Sequence, residues 1–150
     1  MMMRRAVLAV VALMLLSGCA ERSHVVVMTL HELSEDYEYI EDNATRSHII
    51  RFKTLKEGDT LIVRDVIAEK RFPEENITLL MLASQPDGGF HFSGNLTDFN
   101  VGDSIEITLH IEPDVFQMNG ETYDILIFRE GWDFDRHVPL PLPPSTIRRI

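Results

Sequence analysis

The sequence predicts an all-β domain that follows an N-terminal export segment. From residue 49 onward, runs rich in Ile, Val, Leu, Phe and Thr recur, and turn residues bound each run. In the clearest run, SIEITLHI at 104–111, large aliphatic residues alternate with Glu, Thr and His, which is typical of a half-buried strand. Beyond the export segment, no stretch shows a sustained helical period.

Residues 1–18 have the three parts of a signal peptide. Arg4 and Arg5 supply positive charge, residues 6–16 form an uncharged apolar run, and small residues occupy 17–18. A helix of this run would be about 16 Å long, roughly half of a bilayer core. The segment therefore predicts export rather than a permanent membrane span.

The only cysteine, Cys19, comes directly after this segment. The stretch Leu16-Ser17-Gly18-Cys19 resembles the lipobox of prokaryotic lipoproteins, whether bacterial or archaeal. The resemblance implies that the Cys19 sulfur carries a diacylglyceryl group and that cleavage leaves Cys19 as the first mature residue. We therefore expect a lipid anchor on the exported side of the cell membrane or outer membrane, and a two-chain anchor binds stably.

The mature chain divides into three parts. Residues 19–24 form a short spacer, 25–137 a single β domain and 138–150 a proline-rich tail. The tail favours extended polyproline geometry and is interpreted as either a partner-docking arm or a frayed terminus. Residues 31–48 are dense in acids and are predicted to be solvated surface, because they lack the spacing of a calcium loop.

Six strands are predicted within the domain, at 49–52, 60–72, 77–83, 90–96, 104–111 and 122–128. The stretch QPDGG at 85–89 predicts a hairpin turn, and Asn119-Gly120 predicts a type I′ turn. The segments 55–67 and 99–111 also align without gaps, and each has a Gly-Asp pair that leads into a strand. We interpret them as the same turn-and-strand structure formed at two places in the chain, and not as a duplicated domain.

This order of elements over residues 49–130 resembles the OB-fold, a small five-stranded closed β-barrel. The segment 97–103 departs from that plan, because it is too short for the helix that many OB-folds place there. An immunoglobulin-like β-sandwich is the alternative, and the strand at 104–111 suits it equally well.

The resemblance implies a ligand face on the second and third strands. Arg64, His91 and Ser93 are the candidate residues of that binding face. Phe90 and Phe92 alternate with His91 and Ser93, and we expect both phenylalanines to point into the core.

Charge limits the classes of partner. Removal of residues 1–18 leaves 12 basic and 24 acidic residues, a formal charge of −12. Such a surface repels nucleic-acid phosphates at long range, so the charge disfavours nucleic acid as a partner. The single cysteine also excludes a disulfide scaffold.

No catalytic motif is present: the sequence lacks a Gly-x-Ser-x-Gly elbow, a phosphate loop and a dinucleotide fingerprint. Asp133, Asp135 and His137 alternate in a way that metal ligands sometimes do, but solvated surface is the preferred interpretation. We predict no catalytic residue, no metal site and no cofactor.

Asn43, Asn76 and Asn95 each begin an Asn-x-Thr triplet. They are candidate glycosylation sites of an exported protein, although Asn and Thr also favour turns and strand edges.

The sequence therefore favours a lipid-anchored, noncatalytic binding or structural module of the cell envelope. Its expected partners are the membrane, through lipid on Cys19, and an envelope protein or glycan. Two alternatives remain open, an OB-fold domain that binds oligosaccharide or single-stranded nucleic acid and a metal-dependent envelope hydrolase.

Overall fold

The computed structural model describes residues 24–150. The predicted signal peptide, Cys19 and most of the predicted spacer lie outside the described residues. In chain order the elements are β1 (Val25–Met28), α1 (Leu30–Asp36), β2 (Tyr37–Asp42), β3 (Ser47–Phe52), β4 (Thr60–Glu74), β5 (Ile77–Leu82), β6 (Gln85–Ser93), β7 (Ser104–Met118), β8 (Glu121–Phe128), β9 (Trp132–Asp133), β10 (Val138–Pro139) and β11 (Ile147–Arg149). Between residues 24 and 150, no helix is long and apolar enough to cross a bilayer.

The prediction of an all-β fold is confirmed. One continuous sheet has the order β2-β3-β8-β7-β4-β5-β6, with β1 parallel to β4 and β11 antiparallel to β7. β9 and β10 form a separate hairpin. The helix α1 was not predicted, because its seven residues make only two turns and show no period.

The expected closed five-stranded barrel is not confirmed, since the sheet has nine strands and stays open. The acid-dense run at 31–48, predicted as a solvated excursion, supplies α1, β2 and the start of β3. The β2–β3 hairpin then pairs with the edge of β8, in parallel, and extends the sheet beyond it.

Two long strands organise the core. β4 and β7 each span 15 residues, and they pair with each other only through Thr60–Val66 and Ser104–His110. Beyond this shared segment β4 pairs with β5, and β7 pairs with β8. Side chains on the inward face of the two strands and their neighbours are fully buried, among them Leu61, Val63, Ile67, Leu80, Phe92, Ile105, Ile107 and Leu109.

The two predicted turns have different outcomes. Asn119 and Gly120 have φ values of 52° and 76°, and they join β7 to β8 as a type I′ turn would. The turn between β5 and β6 is not at 85–89: Leu82 already pairs with Gln85, and residues 86–88 bulge out before Gly89 pairs with Met81. A Cβ at position 89 would lie 2.1 Å from the Leu80 carbonyl oxygen, so only glycine fits where β6 resumes its pairing with β5.

The terminal segment packs along the domain. The Leu142 N–H donates to the His91 carbonyl, the Ser93 N–H donates to the Leu142 carbonyl, and the Leu142 side chain is buried. β11 then adds to β7, where Ile147 faces Ile107. Residues 138–150 thus contribute both backbone pairing and buried side chains to the fold.

Candidate binding groove

The described surface has an apolar groove of about 550 Å³. We call it the apolar groove. It lies between α1, the strands β3 and β8, and the β9–β10 hairpin. Its lining residues are Leu30, Leu33, Ser34, Tyr37, Ile50, Phe52, Phe90, Leu126, Ile127, Phe128, Gly131, Trp132 and Pro139. Its volume falls within the roughly 300 to 1,000 Å³ that small-molecule sites occupy.

The N-terminus of α1, which forms one wall of the groove, is fixed in three ways. Thr29 accepts from the Glu32 N–H, and the Glu32 carboxylate accepts from the Thr29 N–H, which makes a capping box. The Leu30 N–H donates to the Asp65 carboxylate at 3.0 Å, and the His31 N–H donates to the Ser84 hydroxyl. The helix therefore starts from a fixed point on β4.

Asp65 is the centre of that attachment. Its partial burial works to raise its pKa, but hydrogen bonds from the Ser84 hydroxyl and from the Leu30, Val66 and Ser84 amides outweigh the burial. The net pKa of Asp65 lies below its usual value, so the carboxylate is ionised at neutral pH. A charged acceptor strengthens each of these bonds.

Asp36 holds the C-terminal end of α1, and this residue is buried, with 7% of its surface exposed. Its carboxylate accepts from the Thr54 hydroxyl at 2.7 Å and from the Thr54 and Leu55 amides. The Asp36 carbonyl accepts from the Lys53 N–H as well. With both ends tied to β4 and its leading loop, the helical wall is preorganised.

The floor of the groove is aromatic. The rings of Phe52 and Phe128 stack at 6.0 Å between centroids, because β3 and β8 are neighbours. Tyr37 meets Phe52 edge-on at 6.2 Å, from the paired position on β2. Phe90 reaches the groove from β6, and it packs against the core as well.

Trp132 on β9 forms the opposite wall. Its Nε1–H donates to Asp114 Oδ2 at 2.7 Å, and His137 Nδ1 lies 2.6 Å from the same oxygen. Because a carboxylate only accepts, both nitrogens act as donors here. The buried Asp114 thereby fixes the β9–β10 hairpin on β7 and sets the position of the indole.

An aromatic row runs from this hairpin across β7 and β8 to β3. His137 stacks on Phe116 at 4.2 Å, Phe116 on Tyr123 at 4.9 Å, and Tyr123 on His48 at 4.5 Å. The Tyr39 hydroxyl lies 2.5 Å from His48 Nδ1. The rings cover one another's faces, so this row is less suited to stacking with bases or sugars than isolated exposed rings would be.

At the end of this row, His48 Nε2 lies 3.2 Å from Glu121 Oε1. The two groups are too poorly aligned for a hydrogen bond, which leaves that buried nitrogen without a bonded partner.

The three residues expected on an OB-type binding face have different neighbours. Arg64 Nε lies 2.9 Å from Glu106 Oε1 on β7. His91 and Ser93 are exposed on β6, next to the terminal segment, and His91 lines a shallow depression with Leu140 and the prolines beside it. A binding role for these residues stays a prediction.

The two phenylalanines of the same stretch differ. Phe92 is fully buried, as expected, whereas Phe90 is half-buried and faces the apolar groove. One strand thus contributes to both the core and the candidate site.

The three candidate glycosylation residues, Asn43, Asn76 and Asn95, are exposed at turns and strand ends. Thr78, the threonine of the second triplet, is fully buried: its hydroxyl donates to the Gly94 carbonyl at 2.7 Å and accepts from the Leu96 N–H at 3.0 Å. This threonine therefore has a structural role of its own. Glycosylation at all three asparagines stays a prediction.

The residues that the metal pattern singled out are used within the fold. Asp133 Oδ1 accepts from the Asp135 and Arg136 amides and closes a turn, while His137 contacts Asp114. In the part of the chain that the structure describes, no three His, Cys, Asp or Glu side chains are grouped to hold a metal ion.

Comparison with protein-family models, curated proteins and solved structures finds no match to this chain. The groove itself was not predicted from the sequence. Its lining comes from the helix α1, six strands and the turn that holds Gly131. The signal that could have pointed to it was the presence of Phe, Tyr and Trp at strand ends.

Proposed function

We propose that this protein is a lipid-anchored, noncatalytic binding module of the cell envelope, and that it holds a small apolar ligand in the apolar groove. The observation that carries the proposal is the groove: its walls are fixed before any ligand arrives, and its lining is almost entirely aliphatic and aromatic. Preorganised apolar sites bind small molecules by removing their surface from water.

The polar groups at the groove support binding rather than chemistry. The Ser34 hydroxyl donates to the His31 carbonyl, and the Trp132 N–H is bonded to Asp114. The remaining polar side chain of the lining, Tyr37, sits at the rim with about half of its surface exposed. A ligand would accordingly be held by shape and apolar contact, and the tyrosine hydroxyl at the rim is available for a hydrogen bond.

The location follows from the resemblance to lipoproteins. The lipobox at 16–19 supports attachment through Cys19 on the exported side of the cell membrane or outer membrane. Intact mass of the protein from its native host, compared with Cys19→Ser, tests this part. Added lipid mass on a chain that begins at Cys19, lost in the variant, is expected, and an unprocessed chain without lipid would contradict it.

Trp132 is the only tryptophan of the chain, so its fluorescence reports directly on the groove. Titration with an apolar naphthalene probe should shift and quench its emission in a saturable manner. Ser34→Phe, at an exposed position of the groove mouth, should weaken probe binding at least tenfold, whereas Ser145→Phe, at an exposed site outside the lining, should not.

The same titration with soluble oligosaccharides separates the alternative ligand class. We expect them to leave Trp132 emission unchanged. Saturable binding of an oligosaccharide by isothermal titration calorimetry, with Trp132 emission unchanged and no effect of Ser34→Phe, would instead favour a glycan site elsewhere on the surface.

A further inference from the structure

The outer face of β1, β4, β7 and β11 carries two exposed arginines, and the one glutamate that lies between them is buried. Directly paired residues share a face, and alternate residues along each strand return to it. Register places Val27 beside Ile62, Arg64 beside Glu106, and Glu106 beside Arg148. We call this surface the outer basic face and define it by Val25, Val27, Arg64, Val66, Arg148 and Ile150.

Two arginine side chains of this face are exposed to solvent, and its glutamate is buried. Glu106 is 3% exposed, while the side chains of Arg64 and Arg148 are 54% and 74% exposed. Arg64 Nε lies 2.9 Å from one Glu106 oxygen, and the Arg148 terminal nitrogen lies 2.8 Å from the other. A single buried carboxylate therefore positions two guanidinium groups whose outer edges remain open to solvent, and the trio has a net positive charge.

Exposed carboxylates are missing from these strands. Within 25–28, 60–66, 104–110 and 147–149 the only other acid is Asp65, which is bonded to α1 and Ser84 on the inner side. At one end of the face Glu130 is held by His110 at 2.8 Å. The mature chain as a whole has a charge of −12, but this face has a local excess of positive charge, which can attract an anionic surface at short range.

The face also contains exposed aliphatic groups next to the chain's point of attachment. Val25 and Val27 are 66% and 47% exposed on the first strand, and Ile150 is 61% exposed at the other edge. Five residues lead from Cys19 to His24, so they can separate the anchor from β1 by at most about 18 Å. A connection of this length keeps β1 close to the membrane into which the proposed lipid on Cys19 inserts.

We propose that the outer basic face lies against the membrane surface, with Arg64 and Arg148 bound to anionic lipid headgroups and Val25 and Val27 in contact with the interface. The inference rests on the proposed lipid attachment at Cys19. A guanidinium group can donate two parallel hydrogen bonds to two oxygens of one phosphate. Because Glu106 already positions both guanidinium groups, less side-chain conformational entropy is lost on binding. The apolar groove, which lies on other elements, then stays open to its ligand.

The test uses the full, lipidated protein in vesicles of phosphatidylcholine with and without phosphatidylglycerol. Since Cys19 is taken by lipid, a cysteine introduced by Val27→Cys is the only free thiol, and Asn43→Cys is the matched control on a distant turn. In anionic vesicles a water-soluble thiol reagent should label position 27 at least fivefold more slowly than in detergent. Labelling at position 43 should not change.

The paired change Arg64→Gln and Arg148→Gln, or 0.5 M NaCl on the unaltered arginines, should restore fast labelling at position 27. Arg71→Gln, an exposed arginine outside the face, should not. Equal protection of positions 27 and 43 would overturn this orientation. Slow labelling at position 27 that persists in high salt and in pure phosphatidylcholine would overturn the contact between the arginines and the headgroups. Both results would leave the anchor intact. Absence of lipid mass on the chain would overturn the anchor itself, and with it this inference.

Discussion

The backbone N–H of Gly58 donates a hydrogen bond of 2.9 Å to the carbonyl oxygen of Ile111. The equivalent glycine of the second Gly-Asp segment, Gly102, donates one of 2.8 Å to the carbonyl of Ile67. The two isoleucines also donate in return. The Ile67 N–H donates to the Asp103 carbonyl, and the Ile111 N–H donates to the Asp59 carbonyl. Each turn is therefore bonded to the last residue of the other aligned segment, Ile67 or Ile111.

The two segments are related by a local twofold axis. Its centre is the directly paired Val63 and Ile107, which are also equivalent positions in the sequence alignment of the segments. In both turns the Asp carboxylate accepts from the amide three residues earlier, at 2.9 Å for Asp59 and 2.8 Å for Asp103. The interpretation that the same turn-and-strand structure forms at both places is confirmed.

This symmetry predicts a backbone cost at Gly102. Its φ is 94°, and a Cβ there would meet nothing within 4 Å, so Gly102→Ala loses stability through backbone strain alone. We expect a loss of about 1 to 2 kcal/mol in the free energy of unfolding, measured by urea denaturation. Val101→Ala, at the exposed neighbouring position, should change it by less than about 0.5 kcal/mol.

A second prediction concerns Thr78, which is fully buried with both its donor and its acceptor in use. Thr78→Val keeps the shape but leaves the Gly94 carbonyl and the Leu96 amide without partners, which should cost about 1 to 3 kcal/mol. Thr78→Ser keeps the hydroxyl and should retain most of the stability. Equal losses in the two variants, measured in urea, would assign the effect to the missing methyl group instead.

Stability should fall on acidification through two carboxylates. The Arg148 hydrogen bond is the largest cause that lowers the pKa of Glu106, against the opposing effect of burial, and Arg64 adds to it. The Asp65 pKa is also lowered. A folded pKa below the unfolded one stabilises the protein above the unfolded value, near pH 4 to 4.5, and this stabilisation is lost as the pH falls through the folded value.

Glu106→Gln isolates one of these groups. We expect it to destabilise the protein at pH 7, and we expect the difference from the unaltered chain to shrink at pH 3, which lies below the unfolded pKa, so that the stabilisation from the lowered folded pKa is being lost. Urea midpoints at the two pH values give the comparison, with Glu75→Gln at an exposed position as control. A difference that stays constant across this range would show that the charge of Glu106 contributes nothing to folding.

Local patterns in the sequence were sufficient for part of this fold. The alternation at 104–111, the two Gly-Asp turns and the Asn119-Gly120 turn each depend on neighbours within a few residues. α1 was missed because its stability comes from distant partners: the Leu30 amide finds its acceptor in Asp65, 35 residues away. Tertiary attachment of this kind leaves no periodic signal.

The candidate site was beyond local patterns for the same reason. Phe52, Phe128 and Trp132 meet in the groove only because β3 pairs in parallel with β8, and a parallel pairing needs a long connection that the sequence does not specify. The buried Asp114 that positions the indole lies 18 residues from it. Three-dimensional pairing, and not composition, assembles the groove.

The last prediction concerns His137, which stacks on Phe116 and contacts Asp114 while its backbone has a φ of 57°. His137→Ala removes the ring and retains the unfavourable left-handed backbone, whereas His137→Gly removes the ring but adopts this backbone freely. Both variants should be destabilised, and the alanine variant should be the less stable by about 1 kcal/mol. Because the same contacts hold Trp132, emission of the folded variants should also shift to the red as the indole loosens. If the glycine variant proves no more stable than the alanine variant, the backbone at 137 is not strained, and the side-chain contacts alone account for the position of the hairpin.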